Sequence, residues 1–533
     1  GGELTTLQRW LDRLPGDVVL AHPRLCLLRA WLVTFAFRAE QAERYLQAAE
    51  QAAASLASEA ERRSLLDEIV AVRTMGAATQ IDVTRLRELA RRAERQDSGS
   101  DDNVFLRSIR HLSLALALEF SGDVAASHQA YRDLSASSQA SGNVIVAMLA
   151  LSQLGDQLVV QGHLHRAADT YNQALRLAEP GPDAGDRPAI PLAALGHFGL
   201  AQVLVEWDEL DAAEAHIEAA LAQAQQLANS LILLAVYLGL ARLQQSRGDD
   251  AAALESLDRA DDKASDSYLA PLMLAYTGTL RVRLWIRRGA LSSVADWVER
   301  YRRGARQLAD SNMYLLQMEA IGQAALMRAL IALGRPREAL VQTEPLYRTF
   351  EAAGLGGLLI ELSLLEALAR DALGEEGVAL AALARSLARA APEGYTRLYV
   401  DEGPSVARLL ARLKGVLARQ NGAALPAVPA AYLDRLLAAC GRSGEQAAPP
   451  PSPAVAARPP EARQGSPLVE PLSEREREVL GLVAAGLTNQ EIAAALVVEL
   501  STVKTHLLRL YGKLGVHSRT QALNRARELN LLP

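Results

Sequence analysis

From Leu4 to about Ala390 the apolar positions follow the period of a helix with one buried face, and the pattern itself repeats. The clearest unit is LGDQLVVQGHLHRAADTYNQAL, Leu154 to Leu175. A helix must stop at Gly162, because glycine enters the left-handed conformation without a side-chain penalty. Ala167, five residues on, is small enough to let the next helix pack close, and Tyr171 fills the space between the pair. The turn marker recurs at Gly122, Gly162, Gly248, Gly289, Gly334 and Gly374, with Trp207 in the equivalent place of EWDELDAAEAHIEAAL. Successive spacings are 40, 45, 41, 41, 45 and 40 residues. Five residues past each marker stand Ala167, Ala212, Ala253, Ala339 and Ala379, with Ser127 and Val294 as exceptions. An earlier pair is expected from Pro23, with Trp31 in its first helix and Ala42, Leu46 and Ala49 in its second. Ahead of it, Leu7 to Pro15 reads as a lead-in helix.

The pattern changes at the far end. Residues Pro471 to Pro533 read as four short helices, three opening on a Ser or Thr followed three residues later by Glu or Gln. Ser473 with Glu476, Thr488 with Glu491, and Ser518 with Gln521 fit this capping box, which satisfies two orphan N–H groups at a helix start. Gly486 and Gly515 mark helix ends. Over Leu500 to Leu514, Val503, Leu507, Leu510 and Leu514 make one apolar stripe. Ser501, Lys504, Thr505 and Leu508 form a second stripe that cannot share that core. A helix buried on one side and polar near its N-terminus suits major-groove insertion, or else is the solvated face of a small bundle.

Two resemblances sharpen this. Leu154, Gly155, Gly162, Ala167, Tyr171 and Ala174 match the tetratricopeptide pattern in type and spacing, although the repeat is longer than that motif's usual one. Such hairpins stack into a superhelix, since none can bury its own apolar face. Leu472 to Leu532 closely resembles the LuxR-type helix-turn-helix domain of bacterial transcription regulators. That resemblance implies a supporting helix at Glu491 to Leu496 and a recognition helix at Leu500 to Leu514. It further implies DNA contacts from Thr488, Asn489, Ser501, Thr502, Lys504, Thr505, Leu508 and Arg509, and pairing through the helix Arg519 to Leu529. Glu499 and Leu508 depart from the family, which usually has a Ser or Thr cap at the first and a polar groove residue at the second. Leu508 cannot hydrogen-bond a base edge, although it can pack on a thymine methyl.

Six residues before each turn marker lie Leu116, Asp156, Ala201, Arg242, Arg283, Arg328 and Leu368, a position that tends to face the concave side in tetratricopeptide proteins. Arg242, Arg283 and Arg328, with Tyr276, Gln245 and Thr279 nearby, are the expected ligand-binding residues. Free arginines there would hold an anionic or hydroxyl-rich ligand, or an acidic peptide. Arginines paired with Asp or Glu of adjacent helices would be structural. On the first reading, charge reversal at Arg283 and Arg328 abolishes effector response and spares folding.

The segment Ala391 to Leu413 resembles the close of the sensor region in large ATP-binding LuxR-family regulators of the maltose-activator type. Those regulators carry an NTP-binding module, yet no G-x-x-x-x-G-K-[ST] loop occurs and the sole Gly-Lys pair is Gly512–Lys513. ATP is therefore expected only for an N-terminal module lying outside this chain, and the opening Gly1–Gly2 without Met fits a fragment or processed chain. The domains expected are a sensor over 1–440, a Pro/Ala-rich flexible linker over 441–470 and the DNA reader over 471–533.

Composition supports an all-α chain: half of the 533 residues are apolar, and only 5% are aromatic. Net charge is −6, with eight Lys/Arg against six Asp/Glu in 471–533, so the DNA reader is only mildly basic and one copy should bind weakly. Cys26 and Cys440 lie far apart without metal-ligand neighbours, which fits a reducing cytoplasm. Leu231 to Ala241, the most apolar run, is too short to span a membrane. His163 and His165 stand in a turn without a ligand-spaced carboxylate or Cys, and no nucleophile elbow occurs, so neither metal nor catalytic residues are expected. The expectation is an all-α, tetratricopeptide-like superhelix followed by a four-helix LuxR-type helix-turn-helix. Its function would be that of a non-enzymatic, cytoplasmic bacterial regulator, nucleoid-associated when active and more an activator than a repressor. Its partners would be double-stranded DNA, a small-molecule or protein effector, and a second copy on DNA, with no membrane. The alternative is a protein-interaction scaffold for which DNA binding is secondary.

Overall fold

The computed structural model describes residues 10–35, 39–54, 56, 58–79, 82, 84–86, 88–89, 104–179, 190–227, 230–264, 270–304, 313–419, 425–446 and 472–484, with scattered core positions between 487 and 531. Every described secondary element is helical, in two compact units, Gly1–Ala448 and Pro449–Pro533.

The first unit opens with α1 (Gly16–Ala21), then the pair α2 (Pro23–Phe35) and α3 (Ala39–Ala53), then α4 (Glu59–Thr79). Ala42, Leu46 and Ala49 are buried between α2 and α3, as their spacing requires. Trp31 donates its indole N–H to Glu68 (3.2 Å), and Arg73 bridges Glu43 and Glu50 at 2.9 and 2.8 Å, tying α4 to the pair. Trp10, Leu11 and Asp12 of the expected lead-in stretch are helical, whereas 7–9 lie outside the described residues.

Stacked hairpins follow. They are α5 (Val104–Phe120) with α6 (Val124–Ala140), α7 (Val144–Val160) with α8 (Leu164–Ala178), and α9 (Ala193–Glu206) with α10 (Leu210–Leu227). Next come α11 (Ser230–Ser246) with α12 (Asp250–Ala264), and α13 (Ala270–Arg287) with α14 (Leu291–Gly304). The last two pair α15 (Met313–Ala332) with α16 (Pro336–Val341) and α17 (Thr343–Ala352), then α18 (Gly356–Ala372) with α19 (Glu376–Ala390).

The six marker glycines all have φ between 69° and 89°, so the helix-ending argument holds at each. One marker is corrected. Asp208, not Trp207, takes the left-handed place, with φ 69° and the only positive value at a described non-glycine residue. Aspartate enters this region far more readily than a bulky aromatic does. The N–H groups of Asp208 and Glu209 donate to Val205 and Leu204, just as those of Gly162 and His163 donate to Val159 and Leu158. The register then shifts by one in this hairpin. The small residue five positions past the turn is Ala213, 0% exposed, while Ala212 lies on the surface. With that change, Ser127, Ala167, Ala213, Ala253, Val294, Ala339 and Ala379 are all 0% exposed.

Aromatic side chains seat on glycines of the helices they cross. A Cβ on Gly155 or Gly199 would lie 2.5 or 2.2 Å from the Tyr171 ring, so α7 and α9 clamp that ring from two sides. Gly278 gives the same room to Trp297, and Gly322 to Tyr301. Packing at this density leaves no space for a methyl group.

The stack curls until its end meets its middle. Gly356 and Gly357 press against backbone oxygens of Gln161 and Val159, places where any side chain would collide. Beyond α19, the turn Ala391–Glu393 and Gly394 (φ 76°) lead into α20 (Arg397–Val400), α21 (Pro404–Arg419) and α22 (Ala430–Gln446). This closing segment clasps the α9–α10 hairpin. Trp207 donates to the Glu393 carbonyl (2.9 Å), Thr396 N–H to the Glu206 carbonyl (2.9 Å), and Leu398 N–H to the Glu206 carboxylate (2.7 Å). Buried Arg397 binds Asp208 at 2.6 Å through Nε and the Ser246 carbonyl at 2.7 Å. The closing helix α22 runs to Gln446, past the sensor boundary expected at 440, and Arg442 reaches Asp208 at 3.1 Å. A linker starting at 441 is thus corrected, because Gly441 stays helical; residues 447–470 lie outside the described residues.

In the second unit, α23 (Glu474–Ala484) packs its Val479, Leu480 and Val483 with Ile492, Val503, Leu507, Leu510, Leu514, Ala522 and Ala526.

Candidate functional site

The curl of the first unit forms a half-open cavity of about 540 Å³, inside the range of small-molecule sites. Its walls are the inner helices α7, α9, α11, α13, α15 and α18, with Tyr395 and Leu398 of the closing segment. Val160, Phe198, Leu234, Leu238, Ile321 and Leu358 give it an apolar body. A polar belt runs round it, and the belt is the row six residues before the turns: Asp156, Gln202, Arg242, Arg283 and Arg328. Gln202 replaces Ala201 in that row because of the shift at Asp208; Ala201 is fully buried away from the cavity. Gln202 is thus the lining residue missed from spacing. Its signal was Asp208, an aspartate competent for the left-handed turn. Thr279 lines the cavity and Gln245 does not. The side chain of Tyr276 lies outside the described residues.

The three arginines line the cavity as expected, and every one of them is matched by a carboxylate. Arg242 pairs with Glu206. Arg328 holds Glu361 and Glu402, each at 2.6 Å, while Arg283 reaches the same two carboxylates at 3.3 Å. Arg328 is 6% exposed. Burial works against its charge, yet Glu402 and Glu361 hold it above the usual arginine range. Arg283, farther from both carboxylates, is pushed down by burial and by Arg328. Glu361, despite burial, is held below the usual range by the two arginines. Because removing one member of a buried ion cluster leaves an uncompensated charge, reversal at Arg283 or Arg328 would not spare folding. Those arginines hold α13, α15, α18 and the closing segment together.

Asp156 stands opposite in character. Protein is dense around it, but the residue itself is exposed where it opens on the cavity. Tyr171 Oη donates to it at 2.5 Å, and among the described residues it has no ion pair. Burial pushes its carboxyl up to about 6, against the Tyr171 hydroxyl. One hairpin earlier, Tyr131 donates to Glu119 at 2.6 Å, and burial pushes that carboxyl up to about 7. Glu206 is also raised, burial outweighing Arg242 and the Leu398 amide.

In the second unit the apolar stripe Val503, Leu507, Leu510 and Leu514 is buried. Ser473 and Glu476 close the expected capping box, at 2.8 and 3.2 Å. Glu476 also takes Lys513 at 3.0 Å, and despite burial the Ser473 amide and Lys513 hold its carboxyl below the usual range. Thr488, Asn489, Ser501, Thr502, Lys504, Thr505, Leu508 and Arg509 all lie outside the described residues, as do the capping pairs at 488 and 518.

His163 and His165 do meet a carboxylate, Glu393, which the fold brings from 230 residues away to 3.4 Å from His163 Nδ1 and 3.1 Å from the His165 amide. Sequence neighbours could not show it. Among the described residues no three His, Cys, Asp or Glu side chains group as a metal site, and no helix is long and apolar enough to cross a membrane. Both cysteines are free.

Comparison with known proteins completes the picture. Residues 67–415 match the MalT-like TPR region, and residues 470–526 match the bacterial regulatory proteins of the luxR family. The chain is 26% identical over 554 residues to the HTH-type transcriptional regulator MalT of Yersinia pestis (strain Pestoides F), covering 99% of this chain and 56% of that protein. With MalT of Cronobacter sakazakii (strain ATCC BAA-894) it shares 27% over 535 residues, with the same coverage. It thus spans little more than half the length of these relatives. A Rap protein solved in complex with competence and sporulation factor has the same fold over 70% of this chain and 99% of its own, with TM-score 0.50 and 15% identity. The chain belongs to the MalT-like TPR family and carries, behind that region, a luxR-family region of bacterial regulatory proteins.

Proposed function

We propose that this chain is a signal-responsive transcription activator acting in the bacterial cytoplasm. Its C-terminal unit binds double-stranded DNA through the helix bearing Lys504 and Thr505, and a small-molecule or protein effector occupies the superhelix. The observation that carries the reading is the pairing of a luxR-family region with a half-open cavity of about 540 Å³ in the preceding unit. An occupant of that cavity would touch both inner helices and the closing segment, so binding energy there can bias how the unit assembles. The mild charge of the second unit supports pairing of copies on adjacent half-sites rather than tight binding by one.

The test is selection of duplexes from a random DNA library with the full chain, followed by gel shift at about 0.1 M salt. Lys504→Ala should remove sequence-specific binding. If the selected duplexes bind that variant as well as the parent, the superhelix is a scaffold and DNA contact is secondary.

A further inference from the structure

The charges around the cavity do not favour the anion that three arginines suggest. Arg242, Arg283 and Arg328 are matched by Glu206, Glu361 and Glu402, and Arg397 is taken by Asp208 and Asp401. Asp156 is the carboxylate left over. The titratable groups that sense it are Tyr171 on α8, Glu119 on α5 and Tyr131 on α6, and none is a cation. It opens on a cavity whose body is apolar and whose near wall carries the rings of Tyr171 and Phe198. With Glu206, Glu361, Glu402 and Asp156 set against Arg242, Arg283 and Arg328, an entering anion would meet one more negative charge than positive. A hydroxyl-rich ligand would leave most of its hydroxyls facing Val, Leu and Ile side chains, and unmet polar groups are costly in such a place. A carboxylate facing an apolar chamber with a single donor is complementary to a cation that brings its own donors and an apolar tail.

We infer that the cavity of the superhelix takes an amphipathic amine, its ammonium on Asp156 and its apolar body among Val160, Phe198, Leu234 and Ile321. This rests on the reading of the superhelix as an effector site and names the chemical class of the effector. Ammonium binding keeps Asp156 ionised, so affinity rises as pH rises through about 6, where the empty site still holds a proton part of the time.

The experiment is thermal unfolding of the full chain with octylamine, octanol, octanoate and a neutral trisaccharide as probes, below any micelle threshold. Octylamine should bind about tenfold or more tightly than octanoate, since hydrogen bonds to a charged group are the strong ones. Its advantage should grow from about pH 5 to about pH 8 and vanish in Asp156→Asn. Tyr171→Phe, which keeps the carboxylate, should retain it. Preference for octanoate or the trisaccharide, or an amine preference that survives Asp156→Asn, overturns the amine and leaves the effector site standing. A transition that no probe moves overturns the amine and the effector site together.

Discussion

Two walls of one cavity carry charge at the same register, six residues before a turn, and use it differently. On the wall of α11, α13 and α15 the row is Arg242, Arg283 and Arg328, each held by a glutamate, two of these being Glu361 and Glu402 from the late part of the chain. On the wall of α7 and α9 the row is Asp156 and Gln202, and Asp156 keeps its face to the cavity. The arginines are the join between the two ends of a curled stack. The aspartate is what the join leaves open. Register, once the turn at Asp208 is placed, brings Asp156, Gln202, Arg242, Arg283 and Arg328 to the cavity, and only the partner set tells which are committed to the fold.

Substitution at the arginine wall should give the largest effect. Arg328→Met leaves Glu361 and Glu402 with Arg283 alone at 3.3 Å, and should lower the stability of the first unit by about 3–5 kcal/mol in denaturant unfolding. A smaller loss, about 1–3 kcal/mol, is expected of Gly199→Ala, whose Cβ would enter the Tyr171 ring and push it off Asp156. Circular dichroism melts would show the loss, and a Tyr171→Ala background should relieve it.

The smallest effect is one of pH. Asp156 and Glu119 have folded pKa values of about 6 and about 7, above the unfolded carboxyl range. Stability from these groups is present in full below the unfolded values and is lost as pH rises through about 6 to 7. Glu119→Gln and Asp156→Asn should each flatten the decline of melting temperature between about pH 4 and pH 7, with Glu119→Gln acting at the higher end. An unchanged slope in both would place the decline elsewhere.

Much of this was legible from the chain. The left-handed glycines and the fully buried residue five places on gave the hairpins, because backbone handedness and close helix packing are local demands. The stripe Val503, Leu507, Leu510 and Leu514 gave the core of the second unit for the same reason. One turn was misplaced by a residue, since Asp208 can do what glycine does, and that small slip hid Gln202. Curling of the stack was not legible at all. Its contacts join Trp207 to Glu393 and Arg328 to Glu402, 186 and 74 residues apart, and no periodicity reports a contact of that kind. Internal pairing of the arginines was foreseeable as an option and decidable only once Glu361 and Glu402 were in place.

The most direct measurement sets the two walls side by side. Thermal unfolding of the full chain is recorded for Arg328→Met and Asp156→Asn at about pH 8, each with and without octylamine. The expected result is a large drop in melting temperature for Arg328→Met, and for Asp156→Asn a melting temperature equal to or above the parent's that octylamine no longer raises. An undisturbed Arg328→Met, or an Asp156→Asn variant that octylamine still stabilises as it does the parent, would contradict the division of labour between the walls.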